Sequence, residues 1–102
     1  MVILVNEHTV SAGEMISAFA QENALARIVG TETAGRLIPG SGFKVGHGYM
    51  VIMPKAAYLT WSGQRFEGKG IVPDVSVPWS PEAHISGEDN QLTAALDTGR
   101  TM

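Results

Sequence analysis

Between Val2 and Gly30 the hydrophobic period of the chain changes twice, and that change confines it to few folds. Val2-Ile3-Leu4-Val5 is an unbroken aliphatic run and reads as a strand. Thr9-Val10-Ser11-Ala12-Gly13-Glu14 then opens a helix. Ala12, Ile16, Phe19 and Ala20 recur at spacings of three and four, with Met15 beside them, and predict its buried face. Glu14, Ser17 and Gln21 fall on the opposite, wet face. The pattern fades at Glu22-Asn23, and Ala26 to Val29 reads as a second strand closed by Gly30. Strand, helix and strand in so short a stretch form a βαβ unit, so the two strands are expected to be parallel.

The junction between the first strand and the helix carries chemistry. A serine on such a sharp turn presents its hydroxyl at the end of a sheet, with the free N–H groups of the helix aimed at any oxyanion formed there. The match to the nucleophile elbow is partial, since Thr9 stands where that pattern has its first glycine. Ser11 and Glu14 also make a Ser-x-x-Glu capping box, and caps are commoner than nucleophiles. The residues alone leave both readings open.

Composition narrows the class. A chain of 102 residues that is 44% hydrophobic, with a formal charge of −3, has room for one small folded domain. Its seven basic residues are scattered singly and form no patch for nucleic acid. No apolar run approaches the roughly 20 residues of a membrane helix, and no leader pattern is present. The absence of cysteine removes disulfides, thiolate metal sites and a cysteine nucleophile. His8, His47 and His84 lack metal-site spacing, so no metal and no cofactor is expected. A parallel strand is normally covered on both faces. With one starting at Val2, Met1 reads as a fragment boundary within a longer protein.

Thr31 to Gly48 is rich in glycine and threonine and reads either as a loop passing close to a ligand or another backbone, or as a turn with flexible ends. Tyr49 to Met53 and Ala57 to Trp61 are expected as an antiparallel pair broken at Pro54-Lys55. Ser62-Gly63 turns the chain, and Val75-Ser76-Val77 is a last short strand. Pro78 to Glu88 reads as a surface loop, and Asp89 or Asn90 caps a helix over Gln91 to Asp97 that stops at Gly99. The expectation is a single fragment, with residues 1–77 as core and 78–102 as loop and terminal helix.

Three motifs in order, Thr-x-Ser-Ala-Gly-Glu after a strand, Ala-x-Ile-Val-Gly-Thr-x-Thr-Ala-Gly, and Glu-Gly-x-Gly-Ile-x-Pro-Asp, resemble the carboxy-terminal processing, or tail-specific, serine peptidases and their tricorn-core relatives. The resemblance runs from Val2 to Val77. It implies an α/β fold, part of the β-β-α layered architecture of the Clp protease and crotonase superfamily, with a mixed sheet. It also implies that the amino-terminal part of the catalytic domain, and any PDZ domain, lies outside this chain.

By the same resemblance the nucleophile falls on Ser11, an oxyanion-hole N–H on Ala12, and substrate contacts on Gly35 and Arg36. Relatives of the Ser-Lys type carry a lysine where this chain has Arg36. A guanidinium stays protonated, with a pKa of about 12.5 or more, and cannot accept the serine's proton. Two readings remain. In the tricorn-like one, a histidine outside this chain is the base and Glu67, ahead of the Gly-x-Gly-Ile element, orients it. In the other, the scaffold has lost proteolysis and binds a peptide or apolar ligand, with Phe43, Tyr58, Trp61 and Trp79 as candidate contacts. None of the three visible histidines is a good base: His8 is held at a strand end, His47 sits in the glycine-rich loop, and His84 is in the surface loop. The implied partner is a peptide or protein substrate. Copies of the fragment are expected to self-associate through the uncovered first strand. Many members of the family act outside the cytoplasm.

Overall fold

The computed structural model describes residues 1–36, 40–54, 59–60, 62–65 and 67–102. The βαβ unit forms as its periodicity predicts. Strand β1 (Val2–Val5) leads through the helix α1 (Ala12–Glu22) to β2 (Arg27–Gly30), and the two strands pair in parallel from Val2↔Arg27 to Val5↔Gly30. Further along the chain come β3 (Gly40–Gly46), β4 (Tyr49–Pro54), β5 (Val75–Ser76), α2 (Pro81–Ile85) and α3 (Asn90–Arg100). Parallel pairing of β5 with β2, at Val29↔Val75 and Gly30↔Ser76, gives a three-stranded sheet in the order β1-β2-β5. Strands β3 and β4 pair antiparallel in a separate hairpin.

The central strand is the core. Ile28 and Val29 are fully buried, and Ile71, Val5, Ala18, Ala20, Ala26 and Ala95 close around them. Helix α3 packs over β1 and β2, and α1 lies against β2. Because β5 is only two residues long, the Ile28 N–H has no strand partner on that side. The Asp74 carboxylate takes it instead, accepting at 2.7 Å, and also accepts from the Gln21 side chain at 3.2 Å. The Pro-Asp element thus completes the ladder with a side chain where the backbone runs out. Gly30 has φ +132°, and a Cβ there would fall on the Val5 carbonyl oxygen, so the close of β2 requires glycine.

Helix α1 departs from its sequence pattern. Its buried residues are Glu14, Ser17, Ala18 and Ala20, whereas Ile16 is 63% and Phe19 60% exposed, with Met15 and Ala12 also exposed. The expected faces are largely exchanged. Hydrogen bonding at Glu14 turns the helix: its carboxylate is the acceptor for a whole cluster of donors, and burying it orients the first two turns.

Three further expectations are corrected. The glycine-rich stretch is not all loop, because Gly40–Gly46 is strand β3 and partners Tyr49–Pro54. Part of the expected partner, Ala57 to Trp61, lies outside the described residues, and Leu59 and Thr60 are not in a strand. His47 and Gly48, with φ of 53° and 79°, form the two-residue turn that the twist of a hairpin favours. Finally, the supposed loop from Pro78 contains α2, capped by the Ser80 hydroxyl accepting from the Ala83 N–H at 3.2 Å, and the last helix runs on to Arg100. Among the described residues, no helix is long and apolar enough to cross a membrane.

Candidate functional site

Ser11 sits at the N-cap of α1 with φ 51° and ψ −116°. Positive φ is uncommon for a residue carrying a Cβ and stores strain of about 1–3 kcal/mol, so something around Ser11 must hold it. Three bonds do. Its N–H donates to the Arg36 carbonyl oxygen (3.0 Å) and to Glu14 Oε2 (3.0 Å), and its own carbonyl accepts the N–H groups of Glu14 and Met15, both at 3.0 Å. The carboxylate half of the capping box is therefore made. The serine half of the box is present too, although the Glu14 amide's hydrogen bond goes to the Ser11 carbonyl at 3.0 Å. Ser11 is exposed. Among the described residues the Ala12 N–H has no acceptor, so the first free donor of the helix lies next to the exposed hydroxyl.

Glu14 is the hub that sequence reasoning assigned to solvent. It is fully buried. Oε1 accepts from the Thr33 hydroxyl (2.7 Å) and the Gly35 N–H (2.6 Å), and Oε2 accepts from the Ser11 and Arg36 N–H groups (3.0 Å each). Four donors on two oxygens fill the acceptor capacity of the group. Thr33 extends the cluster: its hydroxyl accepts the Ile71 N–H at 2.6 Å, and its N–H donates to the Ile71 carbonyl at 3.1 Å. Gly70, at φ +73°, passes so close that a Cβ would strike the Thr33 carbonyl. The signals were present, in the Ser-x-x-Glu spacing and the Gly-x-Gly-Ile element. What the sequence lacked was any sign that the box faces inward.

The predicted site residues fall around this junction as follows. Ser11, Ala12, Gly35 and Arg36 are joined directly, through the bonds from Ser11 to Arg36 and from Gly35 and Arg36 to Glu14. Glu67 stands in the 67–69 turn, one residue before Gly68, whose N–H donates to the Gly35 carbonyl at 2.8 Å. The Arg36 side chain is exposed and has no ionic partner among the described residues. His47 is at the tip of the hairpin, roughly 20 Å from its base at ~3.4 Å per residue. His8 is exposed beside Glu7, at 3.7 Å, and His84 lies on α2 with its ring 5.4 Å from that of Trp79.

Glu7 titrates below the ordinary carboxylate range, held down first by a backbone N–H and then by the Thr31 hydroxyl at 2.9 Å, with a smaller pull from His8. Of the aromatic residues named as contacts for an apolar ligand, Tyr58 and Trp61 lie outside the described residues. Phe43 is on β3, and Trp79 borders a cavity of about 350 Å³ otherwise lined by Asn6, Glu7, His8 and Gln91, a polar wall.

Comparison with known proteins follows the same lines. The model of peptidase family S41 matches residues 1–77. The chain is 33% identical over 98 residues to tricorn protease homolog 1 of Streptomyces coelicolor, covering 94% of this chain and 9% of that protein. It is 35% identical over 100 residues to a carboxyl-terminal-processing protease of Picosynechococcus, covering 95% and 24%. Among solved structures, the crystal structure of the tricorn protease superposes with a TM-score of 0.85 at 26% identity, over 95% of this chain and 10% of that one. The chain therefore spans between about a tenth and a quarter of the length of these relatives. With the family model covering three quarters of its length and the fold shared, the chain belongs to peptidase family S41.

Proposed function

We propose that this chain is the nucleophile-bearing part of a serine endopeptidase that hydrolyses peptide bonds through an acyl-enzyme on Ser11. The observation that carries this reading is the pairing of a strained, exposed serine with an unsatisfied N–H at Ala12 on the first turn of α1. The hydroxyl attacks the scissile carbonyl. The developing oxyanion accepts from Ala12 N–H, with the second donor supplied from outside this chain. Family membership makes the arrangement worth testing as a peptidase site rather than as a helix cap.

Proton transfer in this reading follows the tricorn-like scheme. A neutral histidine beyond this chain takes the proton of Ser11, and Glu67 fixes its tautomer and stabilises the imidazolium. Arg36, on the segment bonded to Ser11, positions the substrate through its guanidinium and takes no proton. The substrate lies extended past Gly35 and adds a strand to the open edge of β3, which among the described residues pairs on one side only.

The test is covalent labelling of the full-length protein with a fluorophosphonate, mapped by mass spectrometry, beside turnover of an unstructured protein substrate. Modification at Ser11, with loss of both label and turnover in Ser11→Ala, is the expected result. Turnover that survives Ser11→Ala would remove the assignment. A protein that neither labels nor cleaves, yet retains peptides or apolar ligands, would belong to the binding reading instead.

A further inference from the structure

We propose that the Glu14–Thr33 pair is a positioning device that sets the nucleophile and the two segments around it in register as one unit. The proposal rests on the reading of Ser11 as nucleophile and adds what holds it ready. Three stretches of chain, distant in sequence, meet at this pair: the turn at Ser11, the 33–36 segment with Gly35 and Arg36, and the 68–71 segment that follows Glu67. Glu14 Oε2 grips the first two at once, through the N–H groups of Ser11 and Arg36. Glu14 Oε1 takes the Gly35 N–H and the Thr33 hydroxyl, and that hydroxyl in turn takes the Ile71 N–H.

The chemistry makes the arrangement directional. Thr33 has one hydroxyl proton, and with the Ile71 N–H occupying a lone pair, that proton points to Glu14. A carboxylate filled by four donors from two segments cannot shift toward one without lengthening its bonds to the other. Ser11 holds a left-handed φ only while its N–H stays bonded to both the carboxylate and the Arg36 carbonyl. Any displacement of the 33–36 segment therefore reaches the backbone of the serine directly, and one of the 68–71 segment reaches it through Thr33 and the Glu14 carboxylate. Neither Glu14 nor Thr33 touches the reacting atoms, so both act through Ser11.

Thr33→Val is nearly isosteric and deletes the hydroxyl alone, and Thr33→Ser restores it. In the full-length protein, the second-order rate constant for fluorophosphonate labelling at Ser11 is measured together with the saturating stoichiometry. A misplacement of even 1 Å can cost on the order of a hundredfold in rate. Thr33→Val is expected to label roughly 10- to 100-fold more slowly with stoichiometry unchanged, and Thr33→Ser to recover to within about threefold. A purely structural role would lower stoichiometry and leave the rate constant of each remaining site as it was; that result, or failure of serine to rescue, overturns the proposal. If Thr33→Val does not fold, Glu14→Gln is read by the same two numbers, since its amide turns a donor toward two of the four donors. Failure of both variants to fold overturns it too, by making the pair structural. Absence of label at Ser11 in the unaltered protein is a different result: it removes the nucleophile reading itself, and this proposal with it.

Discussion

At Ser11 the backbone is strained and the strain is shared out among its neighbours, which makes single substitutions informative. Ser11→Ala leaves every backbone bond of the turn in place, so it is expected to abolish turnover while leaving the melting temperature within a degree or two. Glu67→Gln keeps shape but removes charge. In the Ser-His-Asp triad the equivalent change costs about four orders of magnitude; a residue in an exposed turn should cost less, about two to three orders in kcat with KM little changed. Turnover within twofold of the unaltered enzyme would mean that the orienting carboxylate lies elsewhere. Arg36→Lys should not be required for activity and should not damage it severely, because the backbone of residue 36, not its side chain, holds Ser11. Gly70→Ala forces a Cβ onto the Thr33 carbonyl at a left-handed φ and is expected to destabilise the fold by roughly 1–3 kcal/mol, measured by urea denaturation. Thr31→Val should raise the titration midpoint of Glu7, followed by NMR. A depressed carboxylate contributes stability above its ordinary range that is lost as pH falls through the folded value, and at this exposed site the contribution is small.

Helix α1 separates what can be read from a pattern from what cannot. That residues 12–22 are helical was legible in the spacing of Ala12, Ile16, Phe19 and Ala20, and so was the strand on either side. Which face turns inward was not. Periodicity reports that two faces differ, but the inward one is chosen by what stands opposite, and here that is the Thr33 hydroxyl and backbone N–H donors around Glu14, beside the apolar cluster of Ala18 and Ile71. Glycines hid β3 because they are poor strand formers alone; Gly42 sits under the Met50 side chain of β4, a cross-strand contact that no local rule shows. Helix α2 has a start signal in Ser80-Pro81-Glu82, but at about one turn and a half it is too short to show a period. The inverted face has a measurable consequence in the isolated chain. Ile16→Ser and Phe19→Ser should each change its stability by less than about 0.5 kcal/mol, as at other exposed positions. Ser17→Leu, at a buried position whose hydroxyl donates to the Gly13 carbonyl at 2.8 Å, should cost about 1–3 kcal/mol. The opposite order in denaturant would restore the face expected from the pattern.

The molecule as a whole is open. Its radius of gyration is 16.9 Å, against about 13 Å for a compact domain of this length, and it extends 54 × 36 × 17 Å. Phe43, Val45, Tyr49, Met50, Ile52 and Met53 are exposed on the hairpin, and among the described residues β1 pairs on one side only, with its own Leu4 half exposed. A two-stranded hairpin and an apolar edge are unstable company for water. The 102-residue chain alone is therefore expected to form dimers or larger species at tens of micromolar, by sedimentation equilibrium, and to show no peptidase activity for want of a base. A clean monomer would contradict the first expectation, and turnover abolished by Ser11→Ala the second. The junction at Glu14 also bears on time. Thr33 follows Glu14 by 19 residues, and Ile71 follows Thr33 by 38. During synthesis the serine leaves the ribosome well before the last segment of its own clasp exists, an interval on the order of seconds. Ribosome-bound chains ending before Ile71 should label more slowly with a fluorophosphonate than those extended far enough beyond Val77 for Ile71 to have left the ribosome. If Ser11 is the nucleophile, its full reactivity waits on a residue made 60 positions later, and a growing polypeptide carries its blade unsharpened until then.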